Sequence, residues 1–466
     1  MELHPILEAY DIPNPGIWYV LSARGVPPSM RVGHTCVFVP GSGEKRSGSK
    51  LLIIGGANPS GSFGEAHSLD FDQYEWDTPD WSGLQARYEH TAWLTNNSIY
   101  VFGGAEMNKN LNTVQKLDLA SGTWTTPVVR GTPPSPRTCH SHATDVNMMY
   151  VFGGGEAGAE PVADRQIHVF DASTLTWSQP KTSGKSPKAR HGHVMVVISN
   201  KLFIHGGMSR GSFFEDVHEL QLKTMTWKQV RCKGDIPSGR AAHSAIAYGN
   251  HFIISCGMNQ NGAMDDLYNF NTDTSRWTKL NIEGPPPACR LDHSMCRIEW
   301  NYKQNKKQTE HSITNQENLL GIQELTLCDG NFNKEENFHP EDVSQDEDHG
   351  AASGDDSVRE CASEAASSAG DTATETALSA ADASKAAPCA ADTASGAASS
   401  APDTALSANK KNTSDQASLE GAVEGKAMSD DIPEEGSYTL LLMYGGMDTQ
   451  GEIFDDILVC RINLPT

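Results

Sequence analysis

Short apolar runs broken off by paired glycines recur along the first three hundred residues. "HSHATDV" and "MMYVFGG" are typical: five or six apolar or alternating positions, bounded by turn-forming residues and too short for helices. "QIHVFDAS" and "LTWSQP" follow at once, so the unit reads as four short strands. Three landmarks return with it. An Arg-x-x-His pair stands at Arg31/His34, Arg87/His90, Arg137/His140, Arg190/His193, Arg240/His243 and Arg290/His293. Glycine pairs close an apolar run at Gly55-Gly56, Gly103-Gly104, Gly153-Gly154, Gly206-Gly207 and Gly445-Gly446, with Cys256-Gly257 at the remaining place. A tryptophan follows at Trp76, Trp124, Trp177, Trp227 and Trp277.

Four of the six Arg-to-Gly separations are 16 residues, and all but one of the Trp-to-Arg separations are 13. Such regularity predicts an all-β, six-bladed β-propeller of four-stranded blades. Glycines belong where strands crowd together and the backbone needs a positive φ. Tryptophans are expected to fill the wide outer wedges between sheets. The sixth unit has no tryptophan after Gly446, but Trp18 lies 13 residues before Arg31. The expectation is therefore a ring closed by the N-terminal strand.

The sixth unit is also interrupted. Arg290 and Gly445 are 155 residues apart instead of 16, an excess of about 139. Composition changes there to "EDVSQDEDHGAASGDDSVRE" and a long Ala/Ser/Thr tract, with few large apolar side chains to offset the entropy of ordering. The organisation expected is 1–300 propeller, 301–436 disordered acidic insert, and 437–466 the remainder of blade six. The insert falls between strands one and two of that blade, so it should leave from the face opposite the post-glycine loops. Ser344 and Ser357 lie among its acids and are candidates for phosphorylation by an acid-directed kinase.

Charge follows the same division. Of the net −23, about −18 falls in 301–436, which leaves the globular part mildly acidic and argues against a nucleic-acid partner. Hydrophobic content is 38 %, no stretch approaches a membrane span, and no secretory signal is visible at the N-terminus. The ten cysteines are scattered without a CxxC pair, as suits reduced thiols in the cytoplasm.

The landmarks are those of the kelch repeat, and the chain resembles kelch β-propellers over about 1–300 and 438–466. "RYEH", "PPSPRTCH", "ARHGHVMV", "KLFIHGG", "RLDHSMC" and "GGMDTQGEIFDDILV" are similar to the Rab effectors with kelch motifs. That resemblance implies a non-enzymatic scaffold without a cofactor. Its partners would be a GTP-bound late-endosomal Rab GTPase and an endosomal lipid kinase. It would work in endosome-to-trans-Golgi transport, cytoplasmic and held peripherally on endosome membranes.

Six near-identical Arg-x-x-His pairs read as structure, with each histidine hydrogen-bonded inside its own blade. Specificity should lie in loop residues that differ between blades: Asn58, Glu106, Glu156, Arg210, Asn259 and Asp448, just after the glycine pairs. One enzyme-like match stands apart. Glu160, Asp164 and His168 have the Glu-x-x-x-Asp-x-x-x-His spacing of the iron motif in plant specifier proteins, also kelch propellers, and the donor types suit ferrous iron. The bland reading, a loop acid beside an ordinary strand histidine, is preferred. No GxSxG, HExxH or Walker loop occurs. A kelch substrate receptor of a ubiquitin ligase is the other alternative, but its adaptor-binding module would have to be "QENLLGIQELTL" at 316–327.

Overall fold

The computed structural model describes residues 3–9, 11–41, 48–107, 109–157, 160–303 and 435–462. Almost all of the predicted insert, with Ser344 and Ser357, lies outside them.

Six sheets of four or five strands form the body of the described structure, and six apolar clusters join them in a cycle. Each cluster draws from two consecutive blades, and the one holding Leu51, Leu69, Ile298 and Leu442 joins blade six to blade one. This is a six-bladed propeller. Every repeat tryptophan sits in the cluster between its own blade and the one before: Trp76, Trp124, Trp177, Trp227, Trp277 and Trp18.

Local chemistry shapes the strands. Asn96-Asn97 and Ser199-Asn200 have positive φ at both positions, as tight hairpins between first and second strands require. Third strands end on an Asx turn: Asp118 Oδ1 accepts from the amides of Ala120 and Ser121, and Asn271 Oδ1 from those of Asp273 and Thr274.

The 16-residue spacing has a direct cause. Each arginine is fully buried and donates through Nη1 to the carbonyl that closes its own blade's second strand: Gly103, Gly153, Gly206, Cys256 and Gly445 for Arg87, Arg137, Arg190, Arg240 and Arg290, and Gly55 for Arg31. The arginine's own carbonyl accepts from the second glycine amide of the preceding blade, from Gly56 N→Arg87 O at 2.9 Å round to Gly446 N→Arg31 O at 3.4 Å. Six such bonds run round the ring.

The glycines make room for histidines from two blades. A Cβ on Gly103 would stand 2.6 Å from His140 Cε1 of the next blade, and one on Gly104 would stand 2.8 Å from its own blade's His90 Cβ. The expectation that each histidine bonds within its own blade is corrected here. His90 Nε2 meets Thr35 Oγ1 at 3.1 Å, His140 Nε2 meets Thr91 Oγ1 at 3.2 Å, and His293 Nε2 meets Ser255 Oγ at 2.8 Å, each in the preceding blade. A ring lying over a neighbour's glycine is nearer that neighbour's polar groups than its own.

The expectation of a fold closed by the N-terminal strand is also corrected. No sheet closes on itself; all six are open, and blades meet through side chains and single backbone bonds. Each blade's first strand forms one edge of its sheet, and no continuous ladder passes from blade to blade. The N-terminal segment adds two strands to one edge of the sixth sheet: Trp18–Leu21 pairs antiparallel with Ile457–Cys460, and Ile6–Leu7 pairs parallel with Trp18–Leu21. Nor are all blades four-stranded. Ser183–Gly184 and Lys233–Gly234 add short parallel strands to blades four and five.

The first two strands of blade six, Ser294–Lys303 and Glu435–Tyr444, have ten residues each where the others have five. Strand pairing thus runs three residues past 300 and begins at 435. Ser294↔Tyr444 closes the ladder at the glycine end and Lys303↔Glu435 at the other.

Candidate functional site

The segment between each Arg and His runs beside the segment that follows the glycines. Bridges join Val32 to Ala57, Tyr88 to Ala105, Thr138 to Gly155, His191 to Met208, Ala241 to Met258 and Leu291 to Met447, one in every blade. The post-glycine loops and the start of every first strand therefore share one face. At its centre is a channel of about 230 Å³ lined by all six blades.

Small hairpins form that face in five blades, among them Ala57–Asn58 with Gly61–Ser62 and Met208–Ser209 with Ser212–Phe213. The six residues singled out from sequence have different roles on it. Glu156 is exposed. Arg210 is exposed and pairs with Glu160 at 3.0 Å. Glu106 accepts from Gln85 Nε2 at 2.8 Å. Asn58 and Asp448 shape their own turns, accepting from the amides of Ser60 and of Gln450 and Glu452. Asn259 is buried and donates to Ser238 Oγ, so it is turned into its hairpin. The Lys303↔Glu435 end of the blade-six hairpin is at the other face.

The iron-like triad is not assembled. Asp164 bonds His168 and lies 3.7 Å from buried Arg137, whereas Glu160 points to Arg210. Asp164 occupies the place held by Asp216 under Arg190 and Asp266 under Arg240. Among the described residues no group of three or more His, Cys, Asp or Glu is arranged to hold a metal ion.

Sequence reasoning missed the residue immediately before each histidine. Gly33, Glu89, Cys139, Gly192, Ala242 and Asp292 all line the channel, and all six have φ between 45° and 62°. Their backbones hydrogen-bond round the axis: Glu89 N→Gly33 O, Gly192 N→Cys139 O, Ala242 N→Gly192 O and Asp292 N→Ala242 O, at 2.7 to 3.0 Å. This left-handed position suits glycine, yet two blades place carboxylates there. Nothing in the sequence singled the position out, because the residue before it, Val32, Tyr88, Thr138, His191, Ala241 or Leu291, varies as freely and only the histidine after it repeats.

Electrostatics make this neck distinctive. Burial, helped by nearby arginines, lowers His34 and His293 to about 3 and His90, His140, His193 and His243 well below their ordinary value, so these histidines are neutral. Burial and then the Glu89 charge push Asp292 up to about 7; burial raises Glu89 against the pull of its bonds to Cys139 and Thr138. Both side chains are half-buried beside the channel, so its water moderates the shift.

A pH signature follows. A carboxyl that is raised on folding costs stability once it must ionise: nothing below the unfolded value near 4, and the full cost above about 7. Asp292→Asn should therefore stabilise the protein at pH 8, by on the order of 2 kcal/mol after allowing for channel water, and hardly at all near pH 4. Denaturant unfolding at the two pH values checks this, and an equal effect at both would rule it out.

Comparison with known proteins fits this architecture. The model of the Kelch-repeats domain of KLHDC2, KLHL20 and DRC7 matches residues 9–160 and 124–302. The chain is similar to the "Rab9 effector protein with kelch motifs" of Xenopus laevis, at 49 % identity over 221 residues, 47 % of this chain and 60 % of that protein. The Mus musculus protein of the same name is 50 % identical over 47 % of this chain and 58 % of its own length, and that of Danio rerio 45 % over 47 % and 66 %. The chain thus spans less than two thirds of the length of these curated relatives.

Proposed function

Since this chain belongs to the Kelch-repeats domain family whose model it matches, we propose that it works as a non-enzymatic scaffold, an effector that binds a GTP-loaded late-endosomal Rab on its post-glycine face. The similarity to Rab9 effectors carries this reading. The face supports it: it carries loops that vary between blades, and the Lys303↔Glu435 end of the blade-six hairpin lies at the other face. A scaffold of this kind is cytoplasmic and joins endosome membranes through the Rab, in endosome-to-trans-Golgi transport, with an endosomal lipid kinase as a second partner. The acidic segment between the two long strands of blade six serves as a tether that folding does not require.

Pull-down against a panel of Rabs loaded with GTP or GDP tests the reading. A Rab exposes its switch loops differently in the two states, so one member should bind in the GTP form alone. Equal capture of both forms, or of none, would refute it.

A further inference from the structure

We infer that the neck of the central channel receives one cationic group, an ammonium or guanidinium at the end of a partner's side chain, with Glu89 and Asp292 supplying the counter-charge. The inference rests on the effector reading for where the partner sits, because the neck opens on the face assigned to it.

Three observations support it. The neck is a formed cavity of about 230 Å³, to which every blade contributes. Glu89 Oε2 is buried there with no hydrogen-bond partner. Unsatisfied buried acceptors are costly, so a donor that fills the neck is favoured. Finally, the six repeat arginines do not neutralise the carboxylates. They are fully buried in their own blades, and their guanidinium groups serve strand-end carbonyls and, in five blades, Glu65, Asp164, Asp216, Asp266 or Asp456.

The occupant's chemistry follows from these groups. Two carboxylates and the carbonyls of the left-handed belt call for a donor with positive charge and several N–H bonds. The donor set does not make a metal cage. A long basic side chain brings such a head on an apolar stem, so the head can enter the neck while the stem stays at its mouth.

The test uses the full chain and the paired variant Glu89→Gln/Asp292→Asn, which keeps the shape of both side chains. Its folding is checked by thermal melting. Affinity for the GTP-loaded Rab should fall about 10- to 100-fold, as expected for lost charge-assisted bonds. In parallel, methylguanidinium and methylammonium are titrated while the resonances of His34, Glu89 and Asp292 are followed. Wild type should shift and saturate with at least one of the two cations, and the variant should not respond. Unchanged Rab affinity in the variant overturns the inference and leaves the effector reading intact. If wild type captures no Rab, the effector reading fails and the titration alone decides. Saturable shifts confined to wild type uphold the cation site, and no shifts, or equal shifts in the variant, overturn it.

Discussion

Arg190→Met should lose about 3–5 kcal/mol of stability, the range for breaking a buried ion pair by removing one partner. Arg190 is fully buried, and its guanidinium holds the Gly206 carbonyl at 2.8 Å and both oxygens of Asp216 at 2.7 and 3.1 Å. Phe214 lies against it at 4.2 Å. Methionine keeps most of the volume and leaves the carboxylate without its charge partner. Burial works to raise Asp216, but its bonds to His218 and Arg190 outweigh burial and hold it well below the ordinary range. A depressed carboxyl stabilises the fold above its unfolded value near 4 and loses that contribution as pH falls further. Acid should therefore weaken wild type and narrow its gap to the variant. Denaturant titrations at pH 7 and pH 3 read both effects, and a loss under about 1 kcal/mol at pH 7 would mean the pair is incidental.

Trp18→Ala should cost a similar ~3–5 kcal/mol, the usual range for truncating a buried aromatic. Trp18 has no exposed surface, and its ring lies among Ile253, Leu267, Leu441, Met443 and Leu458 between blades five and six. A tryptophan on a loosely attached N-terminus would cost almost nothing. The comparison with Trp277→Ala is informative, since Trp277 does the same work between blades four and five from mid-chain. Matching losses of melting temperature would show that the N-terminal strand is as firmly built in as any other. An unchanged melt for Trp18→Ala would show that the sixth sheet stands without it.

Much of this molecule was legible in the sequence because its strongest interactions are short-range within a blade. The Arg-to-Gly interval of 16 residues recurs because one side chain must reach one carbonyl across one hairpin, as Arg137 reaches Gly153 at 2.8 Å. The blade count and the strand identities follow from that rule. So does the split of blade six, where Arg290 still finds Gly445 across 155 residues. The candidate face was less legible. Position after a glycine pair put Asn58, Glu106, Glu156, Arg210, Asn259 and Asp448 on loops, but could not distinguish exposed Glu156 from buried Asn259, whose fate depends on Ser238 in the linker before its blade.

The sequence alone determined which segments become strands, how many blades they make and where glycine is needed, since those depend on periodicity and on contacts one hairpin apart. Only the tertiary structure decided that His90, His140, His243 and His293 bond to the preceding blade, that every sheet stays open, and that Glu89 and Asp292 share one neck. Those residues are some fifty to two hundred positions apart, as with the 49 between Thr91 and His140. Nothing local records such a distance. A ring brings them together because each blade presents its first strand to a common axis, and the chemistry at that axis is the sum over six blades rather than a property of any one.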